Sequence, residues 1–241
     1  RPDGQPQLRE LPPRRRVTTP SAASARRLLS AEGGDGAELR GHAPPHPKGL
    51  ALVIHGGAET GTDTVTWRRL AVLRMVPFAS VISRRAGDDV AVLRLKNRVR
   101  GWNGPAEDPL RDARWALDRI REVHPGIPIA LVGHSMGGRV VLRLADEPDV
   151  VGVTALAPWI AGDAREPRPG IPALLMHGSR DRITDPARTA ILASRYAAAG
   201  VDVRHDVVDG GDHAMLRHAG RWHDTVAGFV SEALAGPGRT S

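Results

Sequence analysis

From Gly49 onward, short apolar runs alternate with stretches of helical spacing, and few folds accommodate that alternation. The runs are "LALVIH" (50–55), "VAVLRL" (90–95), "IPIALVG" (127–133), "VVGVTAL" (150–156), "IPALLMH" (171–177) and "VDVRHDVV" (201–208). Most are apolar on consecutive residues, as strands buried on both faces must be, and helical segments separate them. The pattern predicts an α/β protein with a mostly parallel sheet of about eight strands and helices on both faces. Two helices carry their own punctuation: 109–123, with Asp108 as N-cap before Pro109, and 186–199, with Asp185 before Pro186. "LAVLRMVPFASVI", interrupted by Arg74 and Pro77, reads as a kinked helix and falls short of a membrane span. Ahead of the alternation, "RRLLSAEGGDGAELRGHAPP" reads as an antiparallel hairpin around "GGDG".

In open parallel sheets, ligand chemistry gathers in the loops that leave the carboxyl ends of strands. One such loop is "GHSMG", Gly133–Gly137, placed between the apolar run "IPIALV" and the helical "GRVVLRLA". A sharp strand-to-helix turn of this kind projects a serine hydroxyl, and glycines let strand and helix approach. Ser135 is therefore the candidate nucleophile.

A serine hydroxyl needs a base and a group to orient that base. Of the ten histidines, His55, His134 and His177 lie at strand ends, His42 and His46 in a Pro-rich linker, His124 at a helix end away from the loops, and His205 inside the last strand. His213, in "VVDGGDHAML" after that strand, is the favoured base; His218 and His223 are expected inside the following helix. For the acid, Asp181 in "HGSRDRITDP" is favoured over Asp163, while Asp185 is explained by its cap. The order Ser135, Asp181, His213 is that of the α/β-hydrolase arrangement.

Acyl transfer also needs donors aimed at a developing oxyanion. The Met136 N–H follows the nucleophile directly, and "HGG" at 55–57 offers the Gly57 N–H, with Ala58 as the alternative.

With "HGG", "GHSMGG", "HGSRD…DP" and "GGDH" in order over residues 27–236, the chain resembles α/β-hydrolase-fold serine hydrolases. "GHSMGG" followed by "APW" is similar to the pattern of dienelactone-hydrolase-like and cutinase-like esterases. That resemblance implies a carboxylesterase, with Trp159 as a pocket wall near the acyl group. It departs from both groups through the absence of cysteine, which removes the thiolate nucleophile of the first and the disulfide of the second. Eleven residues, "IAGDAREPRPG", join Trp159 to Ile171 and are too few for a substantial lid. "RVRGWNGP" offers a second rim, with Arg100, Trp102 and Asn103 as candidate substrate contacts. A peptidase of prolyl-oligopeptidase type, a thioesterase and a non-catalytic binding protein of the same fold are the competing readings.

Composition bears mainly on what the chain is not expected to do. The formal charge is +7, but residues 1–30 hold seven arginines against Asp3 and Glu10, so the basicity is mostly that of a tail. Nucleic acid is accordingly not an expected partner; a small-molecule acyl substrate is. Neither H-E-x-x-H nor a complete P-loop is present, and the expected chemistry calls for no cofactor or metal. Residues 1–25, rich in Pro and Arg, are expected to be a disordered tail, and 26–241 a single domain. No secretory leader is visible, so the cytoplasm is the favoured compartment.

Overall fold

The structure is a computed structural model that describes residues 27–32 and 36–236, the first of these segments by its backbone alone. The expected tail at 1–25 and residues 33–35 of the "GGDG" turn lie outside the described residues.

Eight strands form one sheet: β1 (Arg27–Glu32), β2 (Glu38–Ala43), β3 (Gly49–Ile54), β4 (Val90–Lys96), β5 (Ile129–His134), β6 (Val150–Leu156), β7 (Ala173–Gly178) and β8 (Val203–Val208). Their spatial order is β1-β2-β4-β3-β5-β6-β7-β8. The β1–β2 and β2–β4 pairs are antiparallel, and all others are parallel. The expected opening hairpin is thus the antiparallel edge of a parallel sheet. Both β5 and β7 begin immediately after a proline, Pro128 and Pro172, whose carbonyls accept from Leu50 and Val153 although their nitrogens cannot donate.

Helices α1 (Leu70–Leu73), α2 (Met75–Ala86), α3 (Asp108–Val123), α4 (Met136–Arg143), α5 (Pro186–Ala198) and α6 (Ala219–Ala235) cover the sheet on both faces. On β3 the period of two sends Leu50, Leu52 and Ile54 into the core shared with α3, α4 and α5, and Ala51 and Val53 into the core shared with α2 and α6. Every residue of β3, β5 and β7 is buried, which is why these runs lack an alternating pattern.

The kink expected near Pro77 is a break at Arg74 between α1 and α2. Pro77 has no N–H to offer the Leu73 carbonyl, and its ring crowds that same carbonyl. A second expectation needs correction: Asp108 is not an N-cap. It lies inside α3, the capping position is Glu107 at φ 46°, and the Asp108 carboxylate instead accepts from Arg98 Nη2 at 3.0 Å and Asn103 Nδ2 at 2.8 Å. Asp185 does cap α5, accepting from the Ala187 N–H at 2.9 Å. Residues 157–172, between β6 and β7, contain neither helix nor strand, so no substantial lid stands there. No helix among the described residues is long and apolar enough to cross a membrane.

After β3 the chain crosses to β4 on one side, and β5 then returns to the other side of β3. This reversal makes the carboxyl ends of β3 and β5 a topological switch point, where adjacent loops part and leave a crevice. "HGG" leaves β3 there and "GHSMG" leaves β5.

Candidate active site

Ser135 joins β5 to α4 with φ 56° and ψ −114°, a conformation that strains any residue with a Cβ. Two glycines make the turn possible. A Cβ on Gly133 would lie 2.1 Å from the Gly137 carbonyl oxygen, and one on Gly137 would lie 2.5 Å from that of Ile54. The backbones of strand, turn and helix therefore touch directly, and the serine side chain stands at the sheet's carboxyl edge.

The structure brings Ser135, His213 and Asp181 together from three loops. Ser135 Oγ lies 3.1 Å from His213 Nε2, and His213 Nδ1 lies 2.8 Å from Asp181 Oδ2. Because a carboxylate only accepts, the imidazole N–H belongs on Nδ1, which leaves the Nε2 lone pair for the serine proton.

The Asp181 side chain is fully buried, and burial alone would push its carboxyl pKa up. His177, His213 and the N–H groups of Ile183 and Thr184 together outweigh that effect and hold it well below the usual carboxylate range. Oδ1 accepts from Ile183 N at 2.8 Å and Thr184 N at 3.0 Å, while Oδ2 lies 3.1 Å from His177 Nε2 and 3.0 Å from Thr184 Oγ1. His177 is anchored in turn by Thr189 Oγ1, 2.7 Å from its Nδ1.

Two further histidines hold the site from beneath. The Nε2–H of His134 donates to the backbone carbonyl of His213 at 2.9 Å, tying the His213 loop to the strand that carries Ser135. Burial, with a smaller contribution from the charge of His213, lowers the His134 pKa to about 3, so the ring is neutral. The N–H of Asn97 donates to His55 Nε2 at 3.1 Å, which puts the His55 proton on Nδ1, and this donates to the Gly56 carbonyl at 2.6 Å. Burial lowers the His55 pKa to about 4. In a trans peptide the Gly56 C=O and the Gly57 N–H point in opposite directions, so His55 fixes the direction of that N–H.

Neither the Gly57 N–H nor the Met136 N–H at the head of α4 meets a backbone acceptor among the described residues. The Ala58 N–H is taken by the Arg100 carbonyl at 3.0 Å, which removes Ala58 as an alternative donor. A Cβ on Gly57 would lie 2.4 Å from both the Arg100 carbonyl oxygen and Met136 Cε, so this loop packs against the elbow only as glycine.

The competing site residues have other duties. Asp163 binds Arg139 and Arg143, each at 2.8 Å. His218 stands at the N-cap position of α6 rather than inside it, and His223 packs edge-on against Phe78, ring centroids 4.5 Å apart. Trp159 is half-buried beside the elbow, its backbone N–H donating to the Ser135 carbonyl at 3.0 Å. Trp102, a candidate rim residue, lies beneath the loop surface. It is buried, meets Trp159 edge-on at 6.0 Å, and carries the Arg139 guanidinium 3.7 Å above its ring. The amide of Asn103, a candidate substrate contact, is engaged by Gly61 N, Gly61 O and Asp108. Sequence reasoning passed over the positioning roles of His55, His134 and His177. The available signal was their shared place at the carboxyl ends of three buried strands, where an imidazole must find partners.

Residues 96–171, under a third of the chain, match the family model described as serine aminopeptidase, S33. No curated protein matches the chain. Among solved structures it is similar to a putative α/β-hydrolase from Agrobacterium tumefaciens, at TM-score 0.67 and 17% identity over 88% of this chain and 98% of that one. Est1E from Butyrivibrio proteoclasticus gives TM-score 0.63 and 17% identity over 88% and 100%. A Xanthomonas campestris protein described as an α/β serine hydrolase without lid gives 0.61 and 18% over 88% and 96%. Likeness across nearly whole chains makes this chain an α/β-hydrolase-fold protein.

Proposed function

We propose that the protein is a serine hydrolase that cleaves carboxylic esters through an acyl-enzyme. The observation that carries this reading is the unbroken hydrogen-bonded chain Ser135–His213–Asp181, set on a strained elbow at the switch point of the sheet. His213 Nε2 takes the Ser135 proton as Oγ attacks the ester carbonyl, and buried Asp181 stabilises the imidazolium that forms. The Met136 and Gly57 N–H groups receive the oxyanion, helped by the positive end of the α4 dipole. His213 passes its proton to the departing alcohol; water then repeats the sequence on the acyl-enzyme and frees the acid.

The absence of a lid at 157–172 suits small, soluble esters, and Trp159 offers a flat wall to the acyl group. One structure of Est1E holds ferulic acid, which makes an aromatic acyl group a reasonable member of a test panel. The serine aminopeptidase description of the matched family model favours a second reading, amide or peptide cleavage by the same three residues.

A fluorophosphonate probe should label the folded protein and fail to label Ser135→Ala. Folded protein that resists the probe would remove the catalytic reading. Rates on p-nitrophenyl esters of increasing acyl length, on a feruloyl ester and on aminoacyl p-nitroanilides then decide between esterase and peptidase.

A further inference from the structure

Among the described residues β8 has one neighbour, β7, so it ends the sheet with an open edge. The carbonyls of Asp202 and Val208 accept from the N–H groups of Ala173 and Ser179, at the start of β7 and just past its end. The period of two therefore turns the N–H and C=O of Arg204 and Asp206 toward β7 as well. Those of Val203, His205 and Val207 point outward, where no partner stands among the described residues. Such an edge is a template for a further strand.

The side chains on this edge fit a second copy of the same strand. Antiparallel pairing about a two-fold axis can use the outward groups when the axis passes residue 204, 205 or 206. An axis at Arg204 sets two guanidinium groups directly opposite, and one at Asp206 sets two carboxylates opposite; both are destabilising. An axis at His205 instead sets Arg204 against Asp206 of the copy, twice, in the non-hydrogen-bonded pairs where side chains come closest. His205 then exchanges main-chain bonds with its own copy, and Val203 with Val207.

Neither charge has to leave its present partner on α6. Arg204 Nη2 binds Glu232 at 2.7 Å and Asp206 Oδ1 binds Arg221, so pairing joins Glu232, Arg204, Asp206 and Arg221 into a run of alternating sign across the seam. Asp202, on the same face, falls opposite Val208 of the copy and meets no charge there. On the other face Val203 and Val207 make apolar pairs beside the two His205 rings. Burial first, and then the charge of His177, lower the His205 pKa, so the facing rings are uncharged at neutral pH. Helix α5 leaves the edge clear. Arg188 and Arg195 hold one of its flanks to the carbonyls of Ile160 and Ala164 on the β6 side, and the opposite flank, toward the edge, carries the small residues Ala190, Ser194 and Ala197.

We propose that the protein forms a two-fold dimer in which the β8 edges pair antiparallel about His205, making one continuous sheet across both copies. The strand so braced leads into the loop that carries His213. The dimer goes beyond the proposed ester cleavage and does not depend on that reading. A seam one strand long is small, so association is weak and concentration-dependent.

The test is sedimentation velocity of the full chain from about 5 to about 500 µM near neutral pH, a range suited to weak association. A dimer that grows with concentration is expected. His205→Pro removes an outward N–H and no rung of the β7 ladder, so it should stay folded and weaken the dimer about tenfold or more. Val207→Lys keeps the backbone intact, sets a cation against Val203 of the copy and should weaken it likewise. Ile191→Lys, on the exposed face of α5, should leave it unchanged. Melting curves establish that each variant is folded. Amide exchange followed by NMR reads the seam directly: the N–H groups of Val203, His205 and Val207 should gain protection at the concentrated end, whereas those of Arg204 and Asp206 should be protected throughout. The proposal is overturned by a monomer at every concentration, by folded His205→Pro and Val207→Lys dimerising as tightly as the parent, or by a dimer in which the three outward amides stay unprotected.

Discussion

His177 and His213 share one acceptor, the Oδ2 atom of Asp181, at 3.1 and 2.8 Å. Only His213 reaches Ser135, so His177 acts through the carboxylate, holding it in the plane that His213 needs. We expect His177→Gln to lower kcat/KM about tenfold, on the scale of one hydrogen bond to a charged group, with KM little changed. His177→Ala, which leaves a cavity as well, should lose more. Steady-state kinetics on one p-nitrophenyl ester check both, and a change confined to KM would remove the positioning role. Stability should follow the same carboxylate. The folded pKa of Asp181 lies below its unfolded value, so its contribution is present above pH ~4 and is lost as pH falls further.

His134 and His55 are buried and neutral, with pKa values lowered to about 3 and about 4. The unfolded chain protonates both near pH 6.5, whereas the folded chain does not. Stability is therefore full above pH ~6.5 and declines as pH falls toward the folded values, by up to about 1.4 kcal/mol per pH unit for each ring. Urea unfolding at pH 7 and pH 5 should show a smaller loss in His134→Gln than in the parent protein. Equal losses would mean that His134 carries a proton in the folded state.

The alternation of apolar runs and helices made the layered sheet legible, because strands buried on both faces cannot hide their composition. The elbow was legible for a related reason: close backbone approach demands glycine, and Gly133 and Gly137 flank Ser135 where a Cβ would strike backbone. The partners of Asn103 and Trp102 were not legible because nothing local marks which way a loop side chain turns. Asn103 is consumed by Gly61, 42 residues away, and Trp102 is covered by Arg139 from α4. Asp108 before Pro109 had the signature of a cap, but Arg98 and Asn103 compete for its carboxylate and draw it into the helix. Long-range partners of this kind leave no periodicity to read.

The two candidate acids separate by environment. Asp163 is partly exposed and serves Arg139 and Arg143, with Arg143 also bound to Glu107. We expect Asp163→Asn to destabilise the fold by roughly 1–3 kcal/mol, chiefly through Arg139, which loses its carboxylate while Arg143 keeps Glu107, and to leave kcat within a few-fold. Asp181→Asn should give up the stability that the ionised carboxylate contributes above pH ~4 and cost about 10³–10⁴ in kcat, since an amide can present a donor to Nδ1 and so favour the wrong tautomer. Ester turnover separates the two variants: it should survive in Asp163→Asn and collapse in Asp181→Asn if the assignment is right, while melts taken alongside confirm that each variant is folded when assayed.

Strain at the elbow gives the last prediction. Ser135 holds φ 56° with a Cβ present, at a cost on the order of 1–3 kcal/mol for a residue other than glycine. Ser135→Ala abolishes the hydroxyl but keeps the Cβ, so it retains most of that strain. Ser135→Gly removes both, although glycine gains more freedom in the unfolded chain, which offsets up to about 1 kcal/mol. We therefore expect both variants to be inactive, and Ser135→Gly to be more stable than Ser135→Ala by about 1 kcal/mol in urea unfolding. If Ser135→Ala were the more stable of the two, the turn would be relaxed, and the serine would stand at the sheet edge without any strain held against it.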